Sequence, residues 1–301
     1  MDFSRIPVEW LFVITLVCAV VSSNYKAYYI KQTMKHESEQ YSFNAGASFV
    51  CAVVLFFLAG CKLDISLYSL CLGLAFGFIT MFYSIVNAKA IKIGPFGYTT
   101  VIVSLSTAIT ALSGAIFWQE TLSSFKVIGI ILMLGCFALA VDTDNNGGKK
   151  ANWNWFFLCV IALFTCAGIG LMQKVHQESD YKNELMGFLI VAFLTSAIVS
   201  LIAYFVLRRK ENIVSEEKVG ARGIINFVLV LVICGVGIAE NNAINLYLSG
   251  VADTAIFFPI VNGVPLLSSL LVSFILFKER LKKKQLWGIF VGIIAIVCLF
   301  I

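Results

Sequence analysis

The chain has 301 residues, of which 60% are hydrophobic and only 13% charged, with a mean hydropathy of +0.92 and a net charge of +5. That balance lies outside the range of water-soluble globular chains, so a soluble domain is excluded and an integral membrane protein is left. The positive excess reads as loops meeting anionic lipid, not nucleic acid.

Apolar runs of about 20 residues, long enough to cross a hydrocarbon layer, recur along the sequence with short polar breaks. They predict an all-α membrane protein of about ten transmembrane helices. The first, Val8–Ile30, follows MDFSRIPVE, which lacks the basic start of a cleaved leader, so it is read as a retained helix carrying Asn24 and Lys26. Tyr41–Gly60 follows, then Leu67–Ala90, which has the small-residue spacing Gly73/Gly77 and a polar stripe of Thr80, Tyr83 and Asn87. The fourth segment, Pro95–Trp118, turns Thr99, Val103, Ser106 and Thr110 to one face. The fifth is Ser124–Val141, the sixth Asn152–Lys174 and the seventh Glu184–Leu207.

The eighth segment, Gly223–Leu248, contains GIAENNAINLYLSG and so sets Glu240, Asn241, Asn242 and Asn245 inside an apolar run. An ionised carboxylate at that depth facing lipid costs on the order of 2.5–3.5 kcal/mol, so Glu240 is expected to face a cavity or a partner. Lys26 is the candidate for a buried pair, although a lysine near a helix end also reaches water by snorkelling. The asparagines have two readings. One is interhelical bonding, worth about 0.6 kcal/mol per bond. The other, which three amides beside a carboxylate favour, is the lining of a solvated cavity. The ninth segment, Ala252–Phe277, holds Asn262 between Pro259 and Pro265, which remove backbone donors and act as a hinge or as a fixed bend. The tenth, Gln285–Ile301, carries Gly288/Gly292, whose spacing, like that of Gly73/Gly77, is assigned to packing inside the chain.

The five tryptophans, Trp10, Trp118, Trp153, Trp155 and Trp287, all fall at the ends of these segments, as expected of indoles at headgroup level. The nine cysteines lie in or beside apolar runs without a C-x-x-C and read as small packing residues.

The chain also repeats itself. WQETLSSFKVIG (Trp118–Gly129) aligns with FKERLKKKQLWG (Phe277–Gly288), pairing Glu120 with Glu279, Leu122 with Leu281 and Gly129 with Gly288. In the same register Thr99, Val103, Ser106 and Thr110 fall on Phe258, Asn262, Pro265 and Ser269, Tyr83 falls on Asn242, and Met81 falls on Glu240. Two halves, residues 1–146 and 147–301, of five helices each must insert with opposite orientations, giving two inverted five-helix repeats, a plan suited to alternating access around a midplane site. Glu120 and Glu279 each precede a helix start, where the dipole favours a carboxylate, and are read as turn builders.

The aromatic-x-Glu-x-Leu turn after the fourth and ninth segments, the helix glycine nine residues after each glutamate, and the link YSIVNAKAIKIGPFGYTTVIVSLS resemble the EamA-type drug/metabolite transporter superfamily. The resemblance covers nearly the full chain and implies a carrier. Members carry amino acids, sugars, nucleotide sugars, choline-like cations or drugs. It usually implies both termini in the cytoplasm, whereas most lysines and arginines lie in the loops after odd-numbered segments, which places both termini outside.

An intramembrane enzyme would need a nucleophile with its base or a set of metal ligands, and neither H-E-x-x-H nor G-x-S-x-G occurs; the isolated SSFK match to S-x-x-K starts a helix. The expectation is therefore a secondary transporter for a small polar metabolite or amphipathic cation, proton-coupled or exchanging. No catalytic residue, metal or cofactor is expected. Partners are the substrate and membrane lipid, in a monomer or homodimer at a plasma membrane. The rival is a non-transporting receptor or scaffold on the same fold. Candidate lining residues are Tyr83, Asn87, Asn24, Glu240, Asn241, Asn242, Asn245 and Asn262, with Glu240 and Lys26 as coupling groups and Pro259 and Pro265 as hinge points.

Overall fold

The computed structural model of the chain describes residues 3–33, 37–63, 65–94, 96–140, 152–210, 221–276 and 283–300. Among the described residues the regular elements are helical: α1 (Val8–Thr33), α2 (Glu37–Leu58), α3 (Leu67–Ile93), α4 (Phe96–Ser104), α5 (Ser106–Phe117), α6 (Ser124–Ala140), α7 (Trp153–Gln177), α8 (Leu185–Lys210), α9 (Ala221–Val251), α10 (Thr254–Leu276) and α11 (Lys283–Phe300). Among the described residues five stretches are long and apolar enough to cross a membrane: Ser38–Leu58, Leu67–Ile91, Trp153–Gln177, Lys182–Arg209 and Ile224–Val251. Shorter apolar helices accompany them at Val8–Ser22, Val101–Phe117, Ser124–Leu139 and Thr254–Val264.

The predicted segment Pro95–Trp118 is two helices, α4 and α5, which meet at Leu105. Serines flank the junction, and Ser104 turns its hydroxyl onto the Val101 carbonyl at 2.8 Å, a local bond that competes with the helical ladder. The helix repeat pattern of the sequence carried no sign of this break. The two prolines have the opposite outcome, because α10 runs helical through both Pro259 and Pro265.

The chain divides into two compact units, and each draws on both sequence halves. The first comprises Met1–Met81 and His176–Tyr247. Its core joins α2 to α9 through Phe43, Ala47, Val230 and Cys234, with Tyr29 and Phe227 against them. Gly73 and Gly77 of α3 lie on the backbone of α8; a Cβ at Gly73 would stand 2.9 Å from the Phe188 carbonyl oxygen. The G-x-x-x-G spacing is thus used for close approach within the unit. The α3 N-terminus is held by Glu184, whose carboxylate accepts from the Ser66 amide at 2.9 Å and hydroxyl at 2.7 Å.

The second unit comprises Phe82–Val175 and Leu248–Ile301. Here α11 lies along α6, and α10 packs on α5 and α6. Val86, Val103 and Ala162 form one core cluster, and Ala90, Trp155 and Cys159 another. Trp10, Trp153 and Trp287 are exposed at helix ends as expected. Trp155 is not at a wet interface: it is buried, and its indole Nε1 donates to the Thr99 hydroxyl at 2.8 Å. A buried indole keeps its place only with such an acceptor.

A turn with Gln119 at positive φ carries Glu120 away from the helix that follows it in sequence. Its Oε2 accepts from the Thr254 amide at 2.8 Å and the Thr254 hydroxyl at 2.7 Å, and its Oε1 meets the Lys174 ammonium at 3.0 Å. The carboxylate does sit on a helix N-terminus, but that helix is α10, not α6. Lys174 is buried there, and its ammonium lies 5.9 Å from the centre of the Trp118 ring. Glu279, its sequence counterpart, is outside the described residues.

Candidate functional site

In the first unit, α1 and α9 meet through a ring of side-chain hydrogen bonds. The Thr15 hydroxyl donates to the Asn245 carboxamide oxygen at 2.8 Å, the Asn245 amide donates to the Asn241 oxygen at 2.9 Å, and the Asn241 amide returns to Thr15, at 2.9 Å to its carbonyl and 3.2 Å to its hydroxyl. Thr15 is fully buried and Asn245 nearly so. Buried polar groups must be satisfied, and here three side chains satisfy one another. Asn241 and Asn245 thus make the interhelical bonding that stood as one of the two sequence readings. Asn242 donates to the Ile238 carbonyl of its own helix at 2.8 Å. Removing the ring by Asn241→Leu is expected to lower stability by about 1 kcal/mol, the scale of hydrogen bonds between membrane helices. A thermal midpoint unchanged from wild type would show that the ring adds no stability.

Glu240 stands apart from that ring. Its side chain is exposed, and its Oε2 accepts a 3.4 Å bond from the Cys18 thiol. Among the described residues no basic side chain pairs with it. Lys26 and Asn24 lie on α1, with side chains outside the described set.

The second unit holds a cavity of about 200 Å³. Its polar lining is Tyr83 and Asn87 from α3, Ser104, Ser106 and Thr107 from the α4–α5 junction, and Asn262 from α10. Val103, Phe137 and the Cys166 thiol complete it. The break at Leu105 is what places two serines and Thr107 at one wall; interrupted backbone at membrane depth is tolerated where it lines a cavity. Asn262 donates to the Thr107 hydroxyl at 3.3 Å, which fixes its carboxamide across the cavity wall. Asn87 makes no side-chain hydrogen bond among the described residues, so a carboxamide with two donors and an acceptor is left for whatever occupies the space.

Of the residues singled out by sequence, the structure brings Tyr83, Asn87 and Asn262 to this cavity, and brings Asn241 and Asn245 to α1. Pro259 is buried in α10, and the Pro265 side chain is outside the described set. Ser104, Thr107 and Cys166 were not picked out. The hydroxyl stripe on the fourth predicted segment pointed towards them, since Val103 and Ser106 belong to it. Thr15 and the Lys174–Glu120 pair were missed as well. A single threonine in an apolar run and a lysine at a helix end carry no pattern, and only the tertiary contacts give them a role.

A crystal structure of another protein superposes on this chain with a TM-score of 0.71 at 12% identity, covering 97% of this chain and 98% of that one. At that identity the likeness shows the fold alone. No curated protein matches the chain. Residues 10–142 of this multi-pass membrane protein, nearly all of its first sequence half, match the EamA-like transporter family.

Proposed function

We propose that the chain is a secondary carrier that moves a small polar metabolite across a plasma membrane by alternating access, with its ten segments acting as two inverted repeats. One observation carries this reading. A cavity in a membrane-spanning bundle is lined by six hydrogen-bonding side chains, and the Asn87 carboxamide among them has no partner in the described protein. A purely structural polar group in an apolar segment is normally satisfied by a neighbour. An unsatisfied amide in a solute-sized space is what a binding site requires.

Glu240 supplies the coupling step in this reading. It lies well inside the Ile224–Val251 span, is exposed, and has a thiol as its only described hydrogen-bond donor. A carboxylate in that position takes up a proton or meets a cation, because holding a lone charge there is costly.

The test is counterflow in proteoliposomes, using as substrate the compound that most raises the thermal midpoint of the purified protein. Asn87→Ala is expected to reduce counterflow about tenfold, the value of one good hydrogen bond at about 1.4 kcal/mol. Glu240→Gln is expected to keep ligand binding while the pH dependence of net uptake disappears. No counterflow with any stabilising compound would reject the carrier; an unchanged pH profile in the glutamine variant would reject the coupling role alone.

A further inference from the structure

The chemistry of the cavity wall says more than that a polar solute fits. Tyr83, Asn87, Ser104, Ser106, Thr107 and Asn262 are all uncharged, and the remaining lining residues are Val103, Phe137 and a thiol. Among the described residues the buried charge of the same unit is committed elsewhere: Lys174 is held by Glu120, which also caps α10. At the surface Lys126 pairs with the exposed Asp253 at 2.6 Å. Among the described lining residues an ion would find only neutral dipoles to replace the water it gives up on entering, and desolvating an unpaired charge is the most expensive transfer a site can ask for.

Volume narrows the class further. An apolar cavity of about 150 Å³ takes up benzene, so a space of about 200 Å³ admits a single six-membered ring with a few polar substituents. The wall is two-faced. Val103 and Phe137 offer apolar contact, while Asn87 and Asn262 each present a carboxamide, which donates and accepts at once. Such a pair suits a solute carrying neighbouring donors and acceptors, such as hydroxyls or amides.

We infer that the cavity selects net-uncharged, ring-sized solutes with both hydrogen-bond donors and acceptors, and excludes cations and anions of the same size. The inference rests on the reading of this cavity as the substrate site, and it narrows the substrate from any small polar metabolite to uncharged ones.

Cys166 gives a direct probe, because its thiol is part of the wall. Apart from Cys61, all other cysteines, the exposed Cys71 included, are replaced by alanine or serine; Cys61, exposed beyond the end of α2, is kept as an internal reference. In detergent, where every reagent has access from both sides, labelling is timed with three short methanethiosulfonates: neutral, trimethylammonium and sulfonate. Relative to Cys61, the neutral reagent is expected to modify Cys166 at least about tenfold faster than either charged one. Asn87→Asp, which puts a carboxylate in the wall, is expected to raise the cationic rate and lower the anionic rate, with Cys61 labelling unchanged.

Similar neutral and cationic rates at Cys166 in the parent protein would overturn the inference. So would an aspartate variant that leaves both charged rates as they were. A Cys166 that no reagent reaches, with Cys61 labelled normally, would overturn the cavity as a substrate site altogether. Labelling does not depend on turnover, so a protein that fails in counterflow yet discriminates by charge leaves this inference standing.

Discussion

Replacing Glu120 by alanine is expected to be the most damaging change of a single polar residue. One carboxylate does two jobs there. It closes the N-terminus of α10 through the Thr254 amide and hydroxyl, and it balances the buried Lys174 ammonium at 3.0 Å. Breaking a buried ion pair by deleting one partner costs about 3–5 kcal/mol, since the other charge stays desolvated, and loss of a cap adds about 1 kcal/mol. The two contributions separate experimentally. Glu120→Gln retains an oxygen for Thr254 but not the charge, so it should lose the ion-pair part only. Adding Lys174→Met to it should restore a portion of the loss, because replacing both partners removes the buried charge. The check is the thermal or denaturant midpoint of purified protein in detergent for the single and double variants. Wild-type stability in Glu120→Ala would show that the cluster does not hold α10 in place.

The second large effect is expected at Gly77. A Cβ at this position would overlap the Ala192 carbonyl oxygen of α8 and press on the Thr195 side chain, and the contact is with backbone, which cannot swing aside. Adding atoms to a tight contact costs about 1–3 kcal/mol per step of size. Gly77→Ala is therefore expected to weaken the α3–α8 contact measurably, and Gly77→Val to abolish recovery of folded protein. Gly135 gives the contrast, because a Cβ there meets nothing within 4 Å. Gly135→Ala should be neutral or slightly stabilising, since glycine in a helix costs about 1 kcal/mol relative to alanine. Monodisperse yield by size-exclusion chromatography reads out all three. Equal yields for Gly77→Val and Gly135→Ala would mean that α3 and α8 are not in close contact.

The two polar clusters show how residue type can mislead where geometry decides. Asn241 and Asn245 belong to a dense polar cluster inside an apolar run, yet their amides close a ring with Thr15 between α1 and α9. Asn87 is one isolated amide in a long apolar helix, and at the cavity its side chain makes no hydrogen bond among the described residues. Density of polar groups measures how much hydrogen bonding a segment can do. Which groups are left over depends on what packs against them.

The sequence alone determined the solvent and the class. A hydropathy of +0.92 with long apolar runs leaves helices as the way to satisfy backbone groups in lipid, and the helical character of α1, α2, α3 and α6–α11 follows from that. The glutamate-bearing turn pointed to the family, and its first occurrence lies inside the matched region, residues 10–142. The hydroxyl face Thr99, Val103, Ser106 and Thr110 was readable because helical periodicity puts those positions in line, and all four are buried. Tertiary structure decided the rest. The delivery of Glu120 to α10 and not to its own next helix, the burial of Trp155 and the composition of the cavity wall all join residues far apart in the chain. Periodicity reports which face of a helix is polar, because that is a property of neighbours along one axis. It does not report which other helix lies opposite, and the meaning of a carboxylate or an amide in a membrane is set by what stands across from it.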